Sequence, residues 1–256
     1  DADVDAANLF LVLHPEIQDS GEFIGGEEAV IDPEACTGCG ACEEACNFHS
    51  IIRQGDICQV DAASCEGCRV CQVVCPADAV TMLPAVSGDW YESRTDMGDF
   101  IHAKLRIAAE NSGKLVALLR QKAQKKAEEN DIPLVIIDGP PGIGCPVMSS
   151  MTGVDLVVVV VEPTVSGRHD MDRILKLTRH FKIDAMVVIN KYDINSAMAD
   201  DIETMCKEYG ARVIGRIPFD TAVVDAVVAG GIVVRDGNGP AAQAMAEIWN
   251  HLRTEE

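Results

Sequence analysis

Two stretches of this chain, CTGCGACEEACN at residues 36–47 and CEGCRVCQVVCP at residues 65–76, carry one cysteine pattern twice, 29 positions apart. Cys36, Cys39, Cys42 and Cys46 recur as Cys65, Cys68, Cys71 and Cys75, with two, two and three residues between successive cysteines. A tight loop with that spacing presents three thiolates to three corners of a cubane iron–sulfur cluster. The fourth cysteine lies too far along its run to close the same cube, so it ligates the other cluster. The expected ligand sets are therefore Cys36, Cys39, Cys42 and Cys75 for one [4Fe–4S] cluster, and Cys65, Cys68, Cys71 and Cys46 for the second. Zinc is the competing reading. It takes four ligands, usually as two separated CxxC pairs, and two CxxCxxCxxxC runs overshoot that count. Gly38, Gly40 and Gly67 suit tight loops whose N–H groups point at sulfide.

Pro76 ends the second run as the bacterial ferredoxin pattern does, while the first run has Asn47 in that place. Residues 33–84, bounded by Pro33 and Pro84, resemble a two-cluster bacterial ferredoxin and are expected to form a small inserted α+β domain. Three cysteines fall outside the pattern. Cys58 has no ligand spacing and reads as a structural thiol; Cys206 sits in a helical pattern and reads as buried and inert. Cys145, beside Pro146 and Val147, reads as another buried thiol, against the sharper readings of a reactive thiol or a cluster ligand shared across a dimer.

Composition narrows the partners. Acidic residues outnumber basic ones 41 to 21, a net charge of −20, which repels phosphate backbones and anionic membranes. No nucleic acid and no membrane partner is expected. The apolar run Leu156–Val161 is far too short to span a bilayer. Thiolates that hold metal need a reducing compartment, so a soluble cytoplasmic protein is expected.

After Pro84 the texture changes. Asp89–Arg94 alternates like a strand, and Leu105–Glu129 reads as a helix rich in Ala, Leu, Lys and Gln. PLVIID, LVVVVV, AMVVIN and RVIGRIP then alternate with helical stretches. Unbroken apolar runs fit strands buried on both faces, and strand–helix alternation predicts an α/β fold with a mostly parallel sheet. Ligands bind such sheets at the C-terminal ends of the strands. The residues there are Asp138, before a Gly/Pro-rich loop, then Asn190, Lys191 and Asp193 in an N-K-x-D pattern, and Pro218 and Asp220 after the last strand. A carboxylate after an apolar strand fits a Walker B position holding Mg²⁺. An Asn amide and an Asp carboxylate can hydrogen-bond a purine edge, with the Lys stem across the ring. Taken singly, each is equally an ordinary βα turn, and the Asp1 and Asp3 pair is equally an acidic tail.

Together, DADVDAANL, IDGPPGIGCPV, VEPTVSGRHDMDR, VVINKYD and IPFD resemble the MinD/ParA/CobQ class of deviant P-loop ATPases, in the branch that carries an inserted ferredoxin domain. That resemblance implies an ATPase domain in residues 1–32 and 85–256, interrupted by the iron–sulfur domain at 33–84. It implies ATP and Mg²⁺ as ligands. Asp138 would be the Walker B residue, Asp1 and Asp3 would lie near Mg²⁺ and the attacking water, and Asn190 and Asp220 near the adenine. It also implies a homodimer, or a heterodimer with a related ATPase, and a redox or assembly protein as partner. The SGRHD stretch, with Arg168 and His169, reads as a helix start.

One family element has no counterpart. The phosphate-cradling K-G-G-x-G-K-S/T loop does not occur, and GEFIGGEEA is acidic where that loop needs Lys. Family order places the loop upstream of Asp1, so the chain is expected to bind ATP weakly or not at all and the fuller protein to be an ATPase. The functional expectation is an iron–sulfur ATPase that couples ATP binding and hydrolysis to electron transfer or partner docking. The alternatives are an Mrp-like cluster carrier and a non-hydrolysing, ferredoxin-like electron carrier.

Overall fold

The computed structural model describes residues 1–106, 111–237 and 239–253. The helices are α1 (Phe10–Leu13), α2 (Ala41–Ala45), α3 (Val70–Val74), α4 (Ser112–Glu129), α5 (Cys145–Met151), α6 (Val165–Phe181), α7 (Ser196–Tyr209), α8 (Thr221–Val228), α9 (Val233–Asp236) and α10 (Pro240–Arg253). The strands are β1 (Glu16–Ile31), β2 (Ile51–Gln54), β3 (Ile57–Val60), β4 (Val80–Thr95), β5 (Gly98–Leu105), β6 (Leu156–Val161), β7 (Asp184–Asn190) and β8 (Arg212–Ile217). They divide into two compact units: Asp1–Ala7 with Pro15–Pro140, and Asn8–His14 with Pro141–Glu256.

The first unit is built on an antiparallel sheet of order β1-β4-β5. Leu115, Val116 and Leu119 of α4 pack with Phe23, Ala103, Ala2 and Val4, all buried, and with half-buried Trp90. Lys122 lies 3.2 Å from the Trp90 ring centre and pairs with Glu92 at 2.9 Å, so its stem covers the ring while its charge stays matched. His102 on β5 is buried and stacked between Tyr91 and Phe100 at 5.0 and 4.5 Å. Its Nε2 is 3.1 Å from Ser93 Oγ. Burial first, and the positive amino terminus second, push its pKa from 6.5 down to about 4. Below pH 6.5 the unfolded chain takes up a proton that the folded chain refuses until about pH 4. Stability is therefore fully present above pH 6.5 and falls through that window by about 3 kcal/mol. Denaturant titrations at pH 7 and pH 4.5 check this, and His102→Gln should flatten the slope.

The other end of the same unit carries the duplication. Residues 27–53 and 56–82 superimpose in kind at a shift of 29. β2 pairs with β3 antiparallel, with Ile51 opposite Val60 and Arg53 opposite Cys58. The inner ends of β1 and β4 repeat that register, with Val80 opposite Ile31 and Met82 opposite Ala29. Each pairing thus joins a strand of one copy to a strand of the other. The left-handed backbone positions recur as well: Gly38 and Gly67 (φ 64° and 62°), Gly40 and Arg69 (79° and 66°), His49 and Asp78 (53° and 50°). The buried core of this end is Ala29, Cys42, Ile51, Cys58, Cys71 and Val80, three equivalent pairs.

The second unit has the parallel sheet β6-β7-β8. Alternation along β7 sends Val187 and Ile189 to Met171, Leu175, Ile202 and Cys206 of α6 and α7. It sends Val188 to Ala241 and Ile248 of α10 on the opposite face. Each large aliphatic side chain buried this way contributes about 2 kcal/mol. Thr164 caps α6 by accepting from Gly167 N–H at 3.0 Å, and Asn195 caps α7 by accepting from Met198 N–H at 3.1 Å. The SGRHD stretch is thereby the first turn of α6, as its sequence implies.

The structure departs from the sequence reading at five places. Residues 134–138 join no strand ladder among the described residues, and Leu134, Val135 and Ile136 are 47%, 43% and 71% exposed. An apolar β-branched run becomes a strand only where a neighbour supplies its hydrogen bonds. β6 is an edge strand with Val158 and Val160 exposed, so burial on both faces holds for β7 but not for β6. Leu105 ends β5 rather than starting a helix; α4 begins at Ser112, and residues 107–110 of the expected helix lie outside the described residues. Pro84 lies inside β4 opposite Glu27, at a position where, among the described residues, β4 has a partner on one side only, the edge setting in which a strand tolerates proline. Cys145 is exposed rather than buried.

Candidate functional site

Four sulfurs from both runs line one cavity. Cys46, Cys65, Cys68 and Cys71 line one open cleft, with Ser50 and Met82 among its walls. Cys46 reaches it because α2 ends there and the chain turns through His49, in the left-handed region, into β2. Gly67 lets the second loop pass tightly over β1: a Cβ at that residue would sit 2.2 Å from Glu27 O. Gly38 does the same for the first loop, with its hypothetical Cβ 2.2 Å from Asp56 O, the residue equivalent to Glu27. Arg69 at the cavity wall is locked by a bidentate pair with Glu27, at 2.8 and 2.7 Å.

The thiols sit in two kinds of environment. Backbone N–H groups of Cys58 and Gly38 aim at Cys36 and hold its thiol below the ordinary value. Burial opposes ionisation of Cys46, but the Ser50 hydroxyl and the N–H groups of Ser50, Phe48 and Ile51 outweigh it, so its pKa is lowered too. The Cys46 Sγ to Ser50 Oγ distance is 3.1 Å, and Ala79 N–H donates to Cys75 Sγ at 3.3 Å. Burial pushes Cys42 up to about 12, with the neighbouring Cys58 thiol adding to it, and burial also raises Cys71. Donors thus reach Cys36, Cys46 and Cys75, while at the buried Cys42 and Cys71 burial outweighs the backbone N–H groups that also face them. Among the described residues, no group of three or more His, Cys, Asp or Glu stands close enough together to hold a metal ion.

The carboxylates Asp1, Asp3 and Asp138 are brought together in the first unit. Ala2 N–H donates to Asp138 O at 2.8 Å, Leu105 N–H donates to Val4 O at 3.2 Å, and Ala2 and Val4 point into the core. Alternation then turns Asp1 and Asp3 to the other face, where Asp1 Oδ1 accepts from Asp3 N–H at 3.0 Å. The Asp138 residue keeps an accessible edge, yet crowding by protein atoms raises its carboxyl above the usual range. The amino terminus opposes that rise and the charge of Asp3 adds to it.

In the second unit the remaining site residues lie at the C-terminal ends of β7 and β8. Lys191 (φ 52°) follows β7 and pairs with Glu162, at the end of β6, at 2.6 Å. Asp193 Oδ1 accepts from Phe219 N–H at 2.7 Å, tying the loop after β7 to the loop after β8. Pro218 precedes that tie, and Asn190 is the last residue of β7. Asp220 engages both carboxylate oxygens: Oδ1 accepts from Ala222 N–H at 2.9 Å, capping α8, and Oδ2 from Ala241 N–H at 3.4 Å, at the start of α10. Sequence reasoning missed this double cap, as it missed Ser50 and the Arg69–Glu27 clamp. Aligning the two copies at their 29-residue shift would have flagged Ser50, which stands against Ala79.

With these positions fixed, comparison with known proteins is informative. A model of the CobQ/CobB/MinD/ParA nucleotide binding domain matches residues 1–233. The chain belongs to that family. As a CobQ/CobB/MinD/ParA chain it is 31% identical over 253 residues to the uncharacterized protein MJ0578 of Methanocaldococcus jannaschii, a match covering 99% of this chain and 84% of that one. Over 127 residues it is 32% identical to the uncharacterized ATP-binding protein MJ0547 of the same organism, covering 48% of this chain and 47% of that one. Among solved structures it is similar to the cell division ATPase MinD of Pyrococcus furiosus, with a TM-score of 0.52 and 16% identity, covering 100% of this chain and 84% of that one. A second is MinD complexed with Mg-ADP from Pyrococcus horikoshii OT3, with a TM-score of 0.51 and 13% identity, covering 98% and 81%. These likenesses show the α/β fold with a parallel sheet. Among the described residues no helix is long and apolar enough to cross a membrane.

Proposed function

We propose that this CobQ/CobB/MinD/ParA chain carries two [4Fe–4S] clusters and couples nucleotide binding to electron transfer or partner docking through them. The observation that carries the reading is the cavity where Cys46 of one run meets Cys65, Cys68 and Cys71 of the other. Spacing alone implies that crossed set. A cubane spreads its four thiolates over four corners, wider than one ion's ligand shell, which suits four sulfurs around a cavity better than a single metal ion. The residues fit such a group: glycine loops stand where a Cβ would clash, N–H groups aim at the outer sulfurs, and an apolar floor lies beneath. Cys46, Cys65, Cys68 and Cys71 would hold one cluster, and Cys36, Cys39, Cys42 and Cys75 the other. When bound, each cluster supplies one-electron chemistry.

For the nucleotide, family membership is joined by the P. horikoshii relative's complex with Mg-ADP. Asp1, Asp3 and Asp138 gather negative charge that a divalent cation would neutralise. Asn190, Lys191, Asp193 and Pro218 are our candidates for the base. Asp220 serves them by fixing the loop, since its oxygens are occupied by backbone donors. The net charge of −20 fits a partner with a basic face, a redox or assembly protein, beside a second copy or a related ATPase.

Anaerobic purification with iron and sulfide counts, followed by EPR of the reduced protein with and without MgATP, tests both halves. About eight irons per chain are expected, and, in a form of the protein that carries the phosphate-cradling loop, a signal that MgATP shifts. Eight irons with no shift would leave an electron carrier uncoupled from nucleotide. An iron-free chain that holds zinc would end the iron–sulfur reading.

A further inference from the structure

The duplication is broken at a buried position beside one sulfur of the second cysteine set. At the shift of 29, Ser50 matches Ala79, and both are 2% exposed. The backbone around them repeats closely. His49 N–H donates to Cys46 O at 3.3 Å, and Asp78 N–H to Cys75 O at 3.4 Å. Asp61 N–H donates to Ser50 O at 2.7 Å, and Asp32 N–H to Ala79 O at 2.8 Å. His49 and Asp78 share the left-handed conformation, at φ 53° and 50°. The fold therefore needs no hydroxyl here, because alanine fills the equivalent place in the other copy. What the copies do not share is a side-chain bond: Ser50 Oγ lies 3.1 Å from Cys46 Sγ. At Cys75 the corresponding residue donates only through its backbone, from Ala79 N–H at 3.3 Å.

Resting on the iron–sulfur reading above, we propose that the Ser50 hydroxyl donates to Cys46 and sets the reduction potential of the second cluster apart from that of the first. Either atom can donate while Cys46 is a thiol. A sulfur that ligates iron has given up its proton, so the hydroxyl is then the donor. The second set has four cysteines without Ser50, so Ser50 acts through Cys46 as a positioning residue. Its burial keeps water from competing for the bond. A hydrogen bond to a ligand sulfur offsets negative charge and favours the reduced, more negative form, which raises the potential. The methyl group of Ala79 offers Cys75 no such donor. This contribution favours electron passage from the first cluster to the second.

EPR-monitored redox titration of the anaerobically purified full chain is the test, each step taking one electron from the titrant. Wild type should show two separate steps. Ser50→Ala should move one step to lower potential and leave the other in place, and Ser50→Thr, which keeps the hydroxyl, should move it less. Ala79→Ser should raise the other step, and it carries the test alone if Ser50→Ala does not fold. A Ser50→Ala protein whose two steps both stay put, or both move equally, overturns the proposal. So does a wild type whose two clusters titrate as one step. Loss of half the iron from a folded Ser50→Ala protein also overturns it, because Ser50 would then be a ligand. Wild type without about eight irons is the separate result that fails the iron–sulfur reading itself.

Discussion

Replacing Cys46 and Cys71 together with alanine is expected to leave about half the iron. Replacing Cys42 and Cys46 together should remove nearly all of it. The first pair comes from different runs but lines one cavity. The second pair comes from one run, four residues apart, yet in the crossed assignment Cys42 would go with Cys36, Cys39 and Cys75, while Cys46 lines one cleft with Cys65, Cys68 and Cys71. If each run closed its own cube, the two results would exchange places. The prediction therefore separates the crossed arrangement from the uncrossed one with two double variants and an iron and sulfide count. Alanine is the substitution to use, since serine offers an oxygen that can stand in as a ligand. Strand pairing would give the crossed assignment its cause. β1 pairs with β4 and β2 with β3, always across copies, so the turn that carries Cys46 into β2 delivers it beside the second loop.

The grouping of Cys46 with Cys65, Cys68 and Cys71 was legible because the duplicated spacing stands in the sequence itself, and the pairing of strands across the two copies brings those residues to one cleft. The strands β7 and β8 were legible for a related reason: each has a neighbour and a helix against it, so its apolar run describes its surroundings. Residues 134–138 have the same composition, but a strand is a property of a pair, and the run records only one member. Asp220 was read as a residue for the base because it follows a strand end in IPFD. Its actual partners include Ala241 N–H, set by where α10 begins about twenty residues later, a relation that no local pattern holds. The Asp1, Asp3 and Asp138 grouping was drawn from family resemblance, and the backbone bond from Ala2 to Asp138 gives it a physical cause. Cys145 was misread because neighbouring Pro146 and Val147 suggest burial, while α5 turns Val147, Ser150 and Met151 inward and leaves Cys145 exposed.

Gly67→Ala should unfold the cysteine unit at clearly lower denaturant than wild type, whereas Gly55→Ala should be mild. Both glycines have nearly the same left-handed backbone, φ 62° and 66°, so both variants bear the same intrinsic cost of about 1–2 kcal/mol. They differ in what an added methyl meets. At Gly55, in the two-residue turn between β2 and β3, there is no heavy atom within 4 Å. At Gly67 the methyl would lie 2.2 Å from Glu27 O, and backbone cannot rotate away as a side chain can. Overpacking of that kind adds about 1–3 kcal/mol, so Gly67→Ala should cost roughly 3–4 kcal/mol in all. The displaced atom belongs to β1 beside its pairing with β4, and the displaced loop carries Cys65 and Cys68. Iron content should fall along with stability in Gly67→Ala and stay near wild type in Gly55→Ala. Denaturant midpoints paired with iron counts on the two proteins read both effects. Equal midpoints would mean that the loop over β1 is loose enough to absorb a methyl group, and that the cavity does not depend on the close approach at Gly67. Gly38→Ala, which meets Asp56 O at the same 2.2 Å, is the built-in repeat, and should reproduce the loss at the other cysteine set.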